Sequence, residues 1–177
     1  MSAVALVIVG LGGFVALSAT GPSADSEAQV KAGYLYKLAS FVRWPADTFA
    51  DGQAPLRICI AGRDDIFMAT RALVHGRQAA GHPLRTERID PAHPETAARC
   101  QILFIGQEGP AARRPIAQAG DRPVLTVTDR SAGVHGGIIE FVRAGDNVRF
   151  AIHRKAAEAR QLELSSKLLA VAELIEP

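Results

Sequence analysis

Apolar residues recur along the chain with two periods, and the switching between them predicts the elements. From Ser26 to Arg43, Val30, Tyr34, Leu38 and Phe41/Val42 return at helical spacing, with Ser26 as N-cap and Glu27 in the first turn. Trp44-Pro45 ends that helix, because a residue before proline avoids the α region. Leu56–Ala61 reads as a strand, Gly62 as the turn after it and Asp64–Val74 as a helix. Gly76–Pro94 is broken by glycine and proline and holds a short strand at Leu84–Ile89. A helical turn over Pro94–Arg99 leads into Ile102–Ile105, an unbroken apolar run of the kind buried on both faces of a sheet. Gly109–Gly120 is helical in part, and Val124–Asp129 is the next strand. Gly137–Val142 and Asn147–Ile152 flank Arg143-Ala144-Gly145-Asp146 as a β-hairpin. Helices over Arg154–Gln161 and Ser165–Ile175 close the chain. The expected fold is an α/β layered sandwich, a mixed β-sheet flanked by helices that ends in a β-hairpin and C-terminal helices.

The first 24 residues have a different pattern and carry no charged side chain. Ala3–Leu17 is an apolar run of signal-peptide length, short for a membrane span. Small residues at Ala16-Leu17-Ser18 and Ala19-Thr20-Gly21 offer cleavage sites. The expectation is a signal peptide over residues 1–24 and one exported domain over 25–177, placed in the periplasm. No Lys or Arg precedes the apolar run, so an uncleaved anchor over Ser2–Ala24 is the alternative. No cysteine near the cleavage region could carry a lipid anchor. Val7-Ile8-Val9-Gly10-Leu11-Gly12-Gly13 imitates a dinucleotide-binding turn. Val15 takes the position of the third glycine, however, and no βαβ pattern follows. Export is the better reading.

Composition narrows the function. The 20 Lys+Arg and 18 Asp+Glu nearly cancel to a net charge of +2, which excludes a polybasic nucleic-acid arm. With 48% hydrophobic and 21% charged residues, the chain is built to fold. A mature length of about 150 residues is one ordinary domain. Its two cysteines, Cys59 and Cys100, each sit at a predicted strand. In an exported protein an even pair points to a disulfide, and two buried free thiols are the alternative.

Candidate chemistry is sparse. His75, His82, His93, His135 and His153 show no metal-ligand spacing, and no metal or cofactor is expected. His135-Gly136-Gly137 imitates an oxyanion loop, yet no G-x-S-x-G elbow exists to use it. It reads instead as a loop of positive-φ glycines feeding a strand that begins at Ile138. Asp129 ends a strand, where open α/β sheets place ligands, and is the ligand-binding candidate. The simpler reading of Asp129 is an Asx turn or cap. Ser165-Ser166 needs nothing beyond helix capping. Phe41 and Trp44, with Phe49, are candidates for a partner-recognition surface or for core at a helix end. No catalytic set is present, so the residues alone describe an exported α/β binding module.

A series of motifs in order resembles the YfiR-like family of periplasmic regulators. It runs Tyr34-Leu35-Tyr36-Lys37-Leu38-Ala39-Ser40-Phe41-Val42-Arg43-Trp44-Pro45, then Ile58-Cys59-Ile60-Ala61-Gly62 and Cys100-Gln101-Ile102-Leu103-Phe104-Ile105. It continues through Val124-Leu125-Thr126-Val127-Thr128-Asp129, Gly136-Gly137-Ile138-Ile139, Val148-Arg149-Phe150-Ala151-Ile152 and Leu164-Ser165-Ser166-Lys167-Leu168-Leu169. The resemblance implies an α/β sandwich, often a homodimer, with no enzymatic activity. It implies a partner in the periplasmic sensor domain of an inner-membrane diguanylate cyclase, held inactive so that cyclic di-GMP stays low and biofilm growth is restrained. Redox or envelope stress would relieve that repression. Cys59 and Cys100 match family cysteines, whereas a second, closely spaced pair is missing from Thr128–Ile152. His153 stands where many relatives carry Asn. The alternatives are an accessory sensor for another envelope receptor, such as a histidine kinase or transporter, and a periplasmic small-solute-binding protein acting through Asp129.

Overall fold

The computed structural model describes residues 24–176 apart from Glu108 and Pro110. The expected leader lies outside the described residues except for Ala24.

Helix α1 (Ala24–Phe41) comes first and passes into a two-residue strand, β1 (Val42–Arg43), with a 3-10 turn at Ala46–Thr48 after Trp44-Pro45. The helix therefore stops two residues before the expected boundary at Arg43. Its buried face is also rotated from the expected one. Ala28, Lys31, Ala32, Leu35, Leu38 and Ala39 are buried, whereas Val30 is 42% exposed. The buried positions are mostly small, and this face of α1 lies against α2, with Tyr34 packed at the edge of the core.

Strands β2 (Leu56–Ala61), β4 (His82–Ile89), β5 (Ile102–Ile105), β6 (Leu125–Asp129) and β7 (Ile139–Ala144) run parallel in the order β4-β2-β5-β6-β7. This is a doubly wound order, with its reversal between β2 and β5. Helix α2 (Asp64–Val74) joins α1 on one face, burying Ile66 and Val74 against Ile58, Ile60, Ile102, Phe104, Leu125 and Val127. A 3-10 turn over Pro94–Arg99 and α3 (Arg114–Ala119) cover the other face, where Cys59, Ala61, Leu103 and Ile105 point. Because β2 and β5 are covered twice, they contain almost no polar residue.

Only a short 3-10 turn, Arg130–Ala132, directly follows β6 before the next strand. Thr126 and Thr128 face that side instead, and their hydroxyl oxygens accept from the Ile138 N–H at 3.0 Å and the Gly137 N–H at 3.3 Å. A Cβ at Gly137 would stand 2.7 Å from the Ile139 carbonyl oxygen, so close approach demands this glycine, while Gly136 supplies the positive φ of +91°. The strand after them starts at Ile139, one residue later than expected.

Strand β8 (Asn147–His153) pairs antiparallel with β7 through a two-residue turn whose Gly145 has φ +60°, as primed hairpin turns require. Helix α4 (Arg154–Ala159) leads to β9 (Glu163–Leu164), which pairs antiparallel with β1 away from the main sheet. Helix α5 (Ser166–Leu169) is capped by Ser165, whose hydroxyl accepts from the Leu168 N–H at 3.2 Å.

The expected closing helix to Ile175 is wrong beyond Leu169. Leu174–Glu176 is a strand, β10, added parallel to β8 at the sheet edge. There the free backbone edge of β8 competes with helical hydrogen bonding, a tertiary effect that local periodicity does not contain. The sheet is completed at its other edge by β3 (Gln78–Ala79), antiparallel to β4. The result is the mixed-sheet α/β sandwich the sequence predicts, with eight strands and helices on both faces.

Candidate functional site

Ligands of doubly wound sheets bind outside the carboxyl ends of the strands, at the reversal point. Here the protein's own side chains narrow that crevice, leaving a groove of about 410 Å³ at the ends of β2 and β4 lined by Gly62, Arg63, Asp64, Arg88 and Gln107. Gln107 lies over Gly62, where a Cβ would meet the Gln107 Cβ at 2.3 Å. Gly106 is overlaid by the Phe104 ring and the Arg63 side chain. Arg63 donates to both carboxylate oxygens of Asp65, at 2.8 and 2.6 Å. These bonds hold the Asp65 carboxyl below its ordinary range and the Arg63 guanidinium above its own. Asp64 and Asp65 also place negative charge on the first turn of α2, which disfavours a phosphate there.

Asp129 ends β6 beside this crevice and is fully buried. Its carboxylate is satisfied from within. Lys31 of α1, itself 1% exposed, donates to Oδ2, Ser131 Oγ donates to Oδ1 at 2.5 Å, and an Arg63 nitrogen stands 3.9 Å away. Lys31 also donates to Glu27 Oε1 at 2.5 Å, and Arg143 on β7 reaches the other Glu27 oxygen at 3.6 Å. This network clamps α1 to the ends of β6 and β7. The ligand candidate of the sequence thus sits in a buried ion-pair cluster.

A second cluster holds Glu140, whose side chain is 3% exposed. Burial alone would raise its pKa. The Gly136 N–H at 2.6 Å, Arg130 Nε at 2.6 Å and His153 at 3.8 Å outweigh it and hold the carboxyl below its ordinary range.

Cys59 and Cys100 are joined in a disulfide across 41 residues, buried under α3 and the Pro94–Arg99 turn. Among the described residues no three His, Cys, Asp or Glu side chains converge to hold a metal, and no helix is long and apolar enough to cross a membrane.

A wider groove lies at the opposite end of the sheet, where the chain leaves α1. It has a volume of about 770 Å³ and is lined by Phe41, Trp44, Pro45, Phe49, His82 and Leu164. The β1–β9 ribbon builds one wall, tied by the Ser165 N–H to the Phe41 carbonyl at 2.9 Å and by the Arg43–Glu163 ion pair at 3.0 Å. Phe49 stacks on His82 with ring centres 3.7 Å apart. His82 Nδ1 contacts the Ala54 carbonyl at 2.8 Å. A carbonyl only accepts, so Nδ1 carries the proton. Phe41 is half-buried. Trp44 is 7% exposed, and its buried indole Nε1 has no hydrogen-bond partner among the described residues.

Phe41 and Trp44 are therefore brought together in one groove, far from Asp129. The sequence did not point to Lys31, Phe49 with His82, or Leu164 from the far end of the chain. Lys31 had a signal: it is the one charge among the alanines and leucines of the α1 face, four residues after Glu27. Leu164 had none, since its place depends on the long-range β1–β9 pairing.

A family model described as YfiR/HmsC-like matches residues 28–173. A search of curated proteins finds no match.

Proposed function

The chain belongs to the YfiR/HmsC-like family, and from that premise we propose that it is a non-enzymatic periplasmic regulator that binds the periplasmic sensor domain of an inner-membrane diguanylate cyclase and holds the cyclase inactive. The observation that carries this reading is the aromatic groove at the amino ends of the strands. It offers a partly apolar surface, wider than the groove of about 410 Å³ at the carboxyl ends of β2 and β4, which Gln107 and the Arg63–Asp65 ion pair narrow. The apolar leader and a buried disulfide both suit an oxidising exported compartment.

A protein without catalytic groups shifts a partner only by binding one of its states better than the other. Holding a cyclase about 99% off from an even start needs about a hundredfold preference, or roughly 2.7 kcal/mol. An interface centred on a few buried aromatic contacts is sufficient for that. Deletion of the gene in its host should raise cellular cyclic di-GMP, and re-expression should lower it again. Unchanged cyclic di-GMP with the cyclase present in the membrane would overturn the reading.

A further inference from the structure

The aromatic groove does not end at Phe49. A second groove of about 640 Å³ shares Phe49 and Asp51 with it, so the two form one trough along the amino ends of the strands. The walls of the second part are cationic. Arg57, Arg99 and Arg122 stand at the starts of three neighbouring strands, brought side by side by the pairing of Gln101 with Arg57 and of Leu125 with Gln101. Arg57 is taken by Glu87 at 2.7 Å. Arg99 and Arg122 are exposed, and among the described residues neither guanidinium forms an ion pair or hydrogen bond. Asp47 and Asp51 line the facing wall, and Asp51 already accepts from the Gln53 N–H at 2.7 Å.

We infer that the trough receives an extended acidic segment of the partner, with an apolar side chain seated on Phe41 and Trp44 and carboxylates reaching Arg122 and Arg99. This rests on the docking reading above and adds the chemistry of the docked segment. Three features support it. Phe41 and Trp44 line the apolar part of the trough, where an apolar side chain of the segment is covered. Guanidinium groups bind carboxylates through paired, charge-assisted hydrogen bonds. The two aspartates confine the segment's acidic groups to the arginine wall, which fixes its direction.

The test uses the disulfide-bonded protein, isotope-labelled for NMR, and a blocked synthetic peptide of two leucines followed by three glutamates. The chain has a single tryptophan, so the indole resonance reports one site. The peptide should shift the Trp44 indole and the Arg99 and Arg122 Nε–H signals. Binding should weaken by about tenfold or more when glutamine replaces glutamate, and similarly in Arg99→Glu/Arg122→Glu. Arg71→Glu, on the exposed side of α2, should leave it unchanged. Equal binding of the glutamine peptide, or shifts confined to other regions, would overturn the inference. Binding of the cyclase periplasmic domain is measured separately. If that domain fails to bind while the acidic peptide occupies the trough, the docking reading fails and this inference stands. If the domain binds equally well to the double-arginine variant, the reverse holds.

Discussion

At the scale of single residues, Lys31 and Asp129 decide what the carboxyl end of the sheet can do. Both are at least 99% buried, and each is the other's nearest counter-charge. Removing one partner of a buried pair leaves an uncompensated charge and costs about 3–5 kcal/mol. Asp129→Ala should therefore lower the unfolding free energy from urea titration by that much. Lys31→Met/Asp129→Leu should recover most of the loss, since apolar replacement of both partners is often neutral. A variant at Asp129 alone thus tests folding before it tests any ligand. Glu140 makes a pH prediction. Its folded pKa lies below the unfolded one, so the unfolded chain takes up the proton first. The stabilisation is present above the unfolded value of about 4.3 and is lost as pH falls through the folded value. Urea titrations stepped down through the acid range should show stability falling there, and Glu140→Gln should be less stable at neutral pH and lose less of its stability on acidification.

At the scale of elements, α1 and the disulfide carry the tests. On α1 the buried side is Ala28, Ala32, Leu35 and Ala39, with Val30 turned outward. Val30→Ser should change stability by no more than about 0.5 kcal/mol, whereas Leu35→Ala should cost about 2–5 kcal/mol. Equal effects would mean the helix sits on the face its larger residues suggest. The disulfide ties β2 to the start of β5 across 41 residues. On the chain-entropy model a closed loop of that length stabilises the fold by about 4 kcal/mol, an upper figure. Cys59→Ala/Cys100→Ala should lower the urea midpoint accordingly. Alkylation of unreduced protein in denaturant should label neither cysteine.

At the scale of the whole molecule, the two ends of the sheet differ. The carboxyl end is narrowed by ion pairs and close glycine contacts to a groove of about 410 Å³, and the amino end opens into a wider trough between the β1–β9 ribbon and the β3–β4 hairpin. The proposed docking uses the open end. Phe41→Ser should weaken binding of the cyclase sensor domain by about tenfold or more in calorimetry, with a far smaller loss of stability than Leu35→Ala. An unchanged affinity would move the interface elsewhere.

Local chemistry by itself determined most of the elements. Leu56–Ala61, Asp64–Val74 and Ile102–Ile105 form as their patterns predict, because a strand covered on both faces and a short amphipathic helix each leave a signal within a few residues. The cysteine pair was legible for the same reason, as composition and compartment together. Only the tertiary structure decided the rest. The strand at Leu174–Glu176 exists because β8 offers a free edge, and the buried face of α1 is the one packed on α2 and carrying Lys31 to Asp129. Lys31 found Asp129 across 98 residues, and Phe41 found Leu164 through the β1–β9 ribbon. Such contacts join residues with no shared local pattern, and their energy is gained only once the sheet has brought them together.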